Sequence, residues 1–266
     1  MGTEVFSHAV AERRRALLWW GLGIVALVAL TVAFYPSVRD SSGLSGYSED
    51  LPEALRALFA GGELDLVSPA GYLNSQVYAL MAPLVLLVFS IGAGADAVAG
   101  EEERGALDLL LAQPVTRARL VAQRFAALVL TVAFLSVVLL AAVAVGAWMV
   151  DLGIGAGGLL AATGGAMLLA ILFGALALAA GSARPGRGRA IAVAATLAAA
   201  AWILDGLAQA VEALEPWRPL SPYYHALGKD PLRDGAPWGS WALLAVATAL
   251  LAGAAVAGLG RRDVRG

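Results

Sequence analysis

Six apolar runs, each long enough to cross a hydrocarbon core of about 30 Å, leave this chain little freedom of fold. They cover approximately residues 16–35, 77–95, 120–150, 159–181, 190–211 and 238–260. Inside a bilayer every backbone polar group must be paired within the protein, so runs of this length are expected to be helices. Composition agrees, with 60% hydrophobic and 14% charged residues, where a soluble domain carries roughly 25% charge. The expected fold is an all-α integral membrane protein, one transmembrane domain spanning residues 1–266 with six spans. The chain has no cysteine, which removes disulfides, thiolate metal sites and thiol catalysis.

The polar segments between the runs are short. Thr3 to Arg15 reads as an amphipathic helix along the interface, with Phe6, Ala9 and Val10 on one face before Arg13, Arg14 and Arg15. A secretory leader also begins with basic residues and an apolar run, but here the run is a full span and no small-x-small pattern follows before Pro36. Trp19 and Trp20 suit interfacial anchors. Pro36 to Asn74 is polar, with a short helix expected from Leu51 to Phe59. Asp151 to Gly158 is a glycine-rich turn, and Ser182 to Arg189 is a short basic loop. The fifth span is expected to break at Asp205 and Gly206, followed by a polar segment from Glu212 to Pro237.

Arginine sets the expected orientation. With both ends of the chain in the cytoplasm, Arg13, Arg14, Arg15, Arg104, Arg117, Arg119, Arg124, Arg184, Arg187, Arg189, Arg261, Arg262 and Arg265 all fall inside, 13 of the 18 basic residues. That is the asymmetry the positive-inside rule requires. Trp148, Trp217, Trp238 and Trp241 then lie near the outer interface.

Small residues recur in the spans: Gly164, Gly165, Gly174 and Gly181 in the fourth, Ala198 to Ala201 in the fifth, Gly253 and Gly258 in the sixth. Lipid gives helices no hydrophobic reason to associate, so close approach through small residues is the usual means. Alanine-rich composition accounts for part of the pattern. No internal repeat of the kind found in inverted-repeat transporters is evident.

Several chemistries are excluded. A phosphate-cradling loop needs Gly-Lys-Ser/Thr, and the sole lysine, Lys229, precedes Asp230. The two histidines, His8 and His225, fall on opposite sides of the membrane, so no metalloprotease site is expected. The chain is not expected to be an enzyme or to hold a cofactor. Ionisable residues within spans are the default functional candidates, here Asp96 at an inner end and Asp205 nearer an outer one. Asp205, Trp217, Tyr223 and Tyr224 form a candidate outer gate, the segment from Asp205 to Pro237 being expected to dip back into the outer leaflet.

The most informative polar stretch runs from Gly100 to Val115 between the second and third spans. Glu101, Glu102 and Glu103 suit the first turn of a helix, where the macrodipole favours negative charge, and Pro114 suits its stop. Leu107, Leu110 and Leu111 make one apolar stripe. Helices that rest on lipid carry Lys and Arg on the polar face, whereas this one opens with three glutamates, so a protein partner is expected. Gly105 in its interior marks a bend or a close approach. Thr116 is placed to cap the next helix, whose first turns carry Arg117, Arg119 and Arg124.

The run Glu101-Glu102-Glu103-Arg104-Gly105-Ala106-Leu107-Asp108-Leu109-Leu110-Leu111-Ala112-Gln113-Pro114-Val115-Thr116-Arg117 resembles the motif between the second and third spans of type-2 ABC exporter permeases. Ala106, Asp108 and Thr116 stand where that family usually has Thr, Glu and Ser, and Arg124 where it often has Lys. Leu220 to His225, with Asp230-Pro231-Leu232 after it, looks like the region before the last span in the same group. The resemblance implies a permease subunit in the plasma membrane that pairs with a second permease copy or a paralogue and with separate ABC ATPase subunits. ATP and Mg would bind in the partner ATPase, with nucleic acid not expected among the partners. It also implies that Glu101, Glu102, Glu103, Arg104, Gly105, Leu107, Leu110 and Leu111 belong to a coupling helix seated in the ATPase. The alternatives from other classes are a stand-alone secondary transporter and a non-transporting membrane anchor or sensor.

Overall fold

The computed structural model describes residues 14–39, 69–105, 116–150 and 152–261. Six of its helices are long and apolar enough to cross a membrane. They are α1 (Arg14–Arg39), α2 (Gly71–Glu103), α3 (Arg117–Met149), α4 (Ala156–Ala183), α5 (Arg187–Ala210) and, last in the chain, α8 (Trp238–Gly260). Between α5 and α8 lie a 3-10 helix (Glu212–Leu220) and two short helices, α6 (Pro222–Ala226) and α7 (Pro231–Asp234). Most of Thr3 to Arg15, the expected helix from Leu51 to Phe59, the stripe Leu107, Leu110 and Leu111, and the arginines at 262 and 265 lie outside the described residues.

Burial ranks the helices. Of the spanning window of α4, 72% is buried inside the protein, against 22% for α1, α5 and α8. The central helix is therefore α4, packed between α2 and α8 and touched by α3 and α5. Its small residues explain the position. A side chain on Gly94 of α2 would strike the Gly174 carbonyl, and one on Gly174 would strike Ser90, whose hydroxyl donates to the Ala170 carbonyl at 2.6 Å. Gly181 meets Ala99, Gly258 of α8 meets Ala183, and Gly164 lies beneath Trp241. Gly253 faces open space, and of Ala198 to Ala201 only Ala198 is buried.

The peripheral helices bury one stripe each. In α1 it is Ile24, Val28, Val32 and Tyr35, four residues or three apart, while Leu18, Trp19 and Leu30 face outward. In α5 it is Ala190, Ala194 and Ala198 at strict four-residue spacing. Helices with an apolar outer face suit lipid, since lipid tails are as apolar as leucine.

Three helix ends differ from the sequence expectation. First, α2 does not stop near residue 95. It widens into a π-helical turn at Asp96–Gly100 and continues through Glu101–Glu103. Second, α5 is not broken at Asp205 and Gly206 but runs on to Ala210. Third, α1 passes Pro36 and ends at Arg39. In the first two cases charges that look disruptive in sequence are paired with arginines, most of them on other elements.

The segment after α5 folds back on the bundle. The Ser221 hydroxyl donates to the Ala201 carbonyl at 2.7 Å. Ala201 precedes the end of α5 by nine residues, which is about 14 Å of helix rise. Ser221 also caps α6 by accepting from the Tyr223 N–H. Tyr223 and Ala226 are buried, and a side chain on Gly165 of α4 would strike the Ala226 carbonyl. The chain therefore re-enters the bundle beside α5.

Candidate functional site

At the arginine-rich end of the bundle, the last turns of α2 gather a charge cluster. Glu101 is 8% exposed and lies 3.3 Å from both Arg104 and Arg124, the latter 7% exposed on α3. Asp96 accepts from Arg187 Nε and has Arg104 at 3.8 Å. Glu103 accepts from the backbone N–H of Arg187 at 2.7 Å. One carboxylate thus binds the open N-terminus of α5 and another binds the side chain of its first residue.

This arrangement corrects the sequence reading of the glutamates. They stand in the last turn of α2, where the helix dipole opposes negative charge, and not in the first turn of an amphipathic helix. Arg104, Arg124 and the N-terminus of α5 offset that cost. The dipole argument applies to Glu103 after all, but through α5. Gly105 is likewise not interior to a helix: its φ of +69° is the left-handed conformation that ends one, with its N–H on the Glu102 carbonyl at 3.0 Å. Glu102 also lies in that last turn.

The far side of the connecting stretch is anchored as well. Thr116 Oγ1 accepts from the Arg119 N–H, as the sequence suggests, and Arg117 Nη1 donates to the Leu259 carbonyl at 3.1 Å. The described residues on either side of 106–115 therefore form two fixed posts, one tied to α3 and α5, the other to α8.

Above the Asp96–Arg187 pair lies an apolar groove of about 450 Å³ between α1, α2 and α5. Trp20, Phe89, Ile91 and Ile191 form walls, and the ion pair lies at its arginine-rich end.

At the opposite end Asp205 meets Arg218 of the returning segment, Nε to Oδ1 at 3.0 Å, with both side chains mostly buried. The Arg218 guanidinium also lies 5.1 Å from the centre of the Tyr224 ring, which Lys229 approaches at 5.4 Å. His225 Nε2 pairs with the Pro219 carbonyl at 2.8 Å. Asp205, Arg218 and Tyr223 line a small cavity of about 40 Å³ with Asn74 and Tyr78 of α2. Of the candidate gate residues, Asp205, Tyr223 and Tyr224 come together around Arg218, while Trp217 is 58% exposed. Burial pushes the Tyr223 hydroxyl well above its ordinary range.

A family model described as ABC-2 family transporter protein matches residues 4–259. The chain belongs to the ABC-2 transporter family. No curated protein matches it. The six apolar helices are those of an ABC-2 permease, a multi-pass membrane protein whose family implies an ABC ATPase as partner. Three residues of this permease escaped the sequence reading: Arg187 as the partner of Asp96, Arg124 as that of Glu101, and Arg218 as that of Asp205. The only signal for them was a basic residue at the same end of the bundle as each acid.

Proposed function

We propose that this chain is the permease of an exporter that couples ATP hydrolysis in a separate ABC ATPase to movement of a substrate across the plasma membrane. Two permease chains, identical or paralogous, make the membrane part. The ATPase supplies the sites for ATP and Mg. The arginine-rich end faces the cytoplasm, which puts both chain ends there, in keeping with the positive-inside rule.

The observation that carries this reading is the anchoring of the residues that flank 106–115, Glu101 and Glu103 before it and Arg117 after it, by ion pairs and hydrogen bonds to three helices. A connector that receives force from a partner must pass it on, and these posts lead directly to α3, α5 and α8. Leu107, Leu110 and Leu111 are the apolar stripe offered to the ATPase, with Glu101, Glu102, Glu103, Arg104 and Gly105 setting its approach. At the outer end Asp205, Tyr223 and Tyr224 belong to a gate formed by the returning segment, with Trp217 at its exposed rim. The intramembrane carboxylates favour this reading over a stand-alone secondary transporter, since Asp96 and Asp205 each hold an arginine.

The test is coexpression with the partner ABC ATPase. Burial of a leucine side chain is worth about 1.5 to 3 kcal/mol, so Leu107→Asp with Leu110→Asp removes enough to separate the two proteins. The double variant is expected to insert normally, lose the ATPase on purification and lose transport. Unchanged copurification with unchanged ATP-driven transport would overturn the reading.

A further inference from the structure

Arg187 is the first residue of α5 and is held twice by α2. Its side chain binds Asp96, which lines the apolar groove, and its backbone N–H binds Glu103, three residues before the connector 106–115 begins. Gly186 before it has a φ of +113°, a conformation closed to most side chains, and forms the turn that joins α5 to Arg184 and Pro185. The first turn of α5 is otherwise lightly packed. Gly188 and Arg189 are exposed, and its buried stripe begins only at Ala190. The contacts that fix this end of α5 therefore include two that come from the last turns of α2.

We propose that Arg187 is a positioning residue that makes the entrance of the groove follow the ATPase-facing connector. When the connector shifts, Glu103 and Asp96 shift with it as parts of one helical end, and α5 is drawn along by its first residue. Because Asp96 and Arg187 also form the end of the groove, the same displacement widens or narrows its mouth. The charges suit this use. The Asp96–Arg187 pair is partly open to solvent, but the bond from the Arg187 N–H to Glu103 backs it, so the tie does not rest on one ion pair, while the buried Glu101–Arg124 pair holds α2 to α3. The inference rests on the docking reading above and adds to it which helix receives the motion.

The chain has no native cysteine, so nitroxide labels can be placed at Gly188→Cys in α5 and Gly260→Cys at the end of α8, two positions with open space for a side chain. Distances are measured by pulsed electron resonance in nanodiscs, for the permease alone and for its complex with the ATPase, without nucleotide and with ATP and vanadate. The label-to-label distance in the complex is expected to shift on vanadate trapping. Asp96→Asn with Arg187→Gln should cut the shift to less than half, and Arg187→Lys, which keeps the charge, should retain it. For the permease alone, the distance distribution should broaden in the Asn/Gln double variant relative to wild type. A full-sized shift in the double variant, or no shift in a wild-type complex that has trapped nucleotide, overturns the proposal. If the ATPase does not bind the wild-type permease at all, the docking reading fails, and the permease-alone distributions still decide the tie: equal widths reject it.

Discussion

Arg218 Nε stands 3.0 Å from Asp205 Oδ1 across thirteen residues of chain, and this contact allows a carboxylate to sit within a membrane-spanning helix. Removing either partner leaves the other charge short of solvent. The returning segment is held at the same level by Ser221 on Ala201.

Asp205→Asn and Arg218→Gln are therefore each expected to cost about 1.5 to 3 kcal/mol, the range for a hydrogen bond to a charged group. The double variant should cost clearly less than the sum, because the two residues share one interaction. Thermal unfolding in detergent measures this. Additive losses would show that the pair is not coupled.

Glu101 and Arg124 form a second, more buried pair, and their substitution should be unequal. Without Glu101, Arg124 keeps a buried charge and loses its ion-pair partner, a situation that costs about 3 to 5 kcal/mol. Without Arg124, Glu101 still has Arg104 at 3.3 Å. Glu101→Leu is expected to lower the melting temperature more than Arg124→Leu, with the Leu/Leu double variant recovering part of the loss. The reverse order would mean that Arg104 does not serve as a reserve partner.

Orientation can be read directly on intact cells with an impermeant thiol reagent. Gly188→Cys and Trp217→Cys both place the thiol at exposed positions, at opposite ends of the bundle. Trp217→Cys should react and Gly188→Cys should react only after lysis. Labelling of Gly188→Cys on intact cells would invert the proposed topology.

Asp230 links stability to pH. Burial lifts its carboxyl above the ordinary value of 3.8 despite the opposing effect of Arg233. A raised value means that the folded state holds the proton more tightly than the unfolded one. That contribution is complete below the ordinary value and is lost as pH rises through the raised one. Asp230→Asn keeps an uncharged side chain that tolerates the left-handed backbone, φ 41°. Its melting temperature should exceed that of wild type at neutral pH, with the gap closing toward about pH 4. A gap that stays constant across this range would assign the effect to something other than ionisation.

The six spans were legible because hydropathy needs only local sequence. The apolar runs at 159–181 and 238–260 lie inside helices Ala156–Ala183 and Trp238–Gly260. The charged helix ends were not legible, for one physical reason. Asp96 through Glu103 read as the end of one element and the start of another because only Arg104 offers a positive charge nearby in sequence. Their partners Arg124 and Arg187 stand on other helices. Asp205 read as a break for the same reason, with Arg218 hidden in the loop that follows. Thr116 was readable because capping is a contact over three residues.

The central place of α4 also bears on how the bundle is made. As the chain emerges, α4 follows α2 and α3, so the faces carrying Gly174 and Gly181 find Ser90 and Ala99 waiting in the bilayer. Its other face, at Gly164 and Ala183, is covered by Trp241 and Gly258 of α8. That helix is synthesised after α4. Until it enters, the most deeply packed helix of the protein has one small-residue side open to lipid, and the arrival of α8 is the step that seals the bundle.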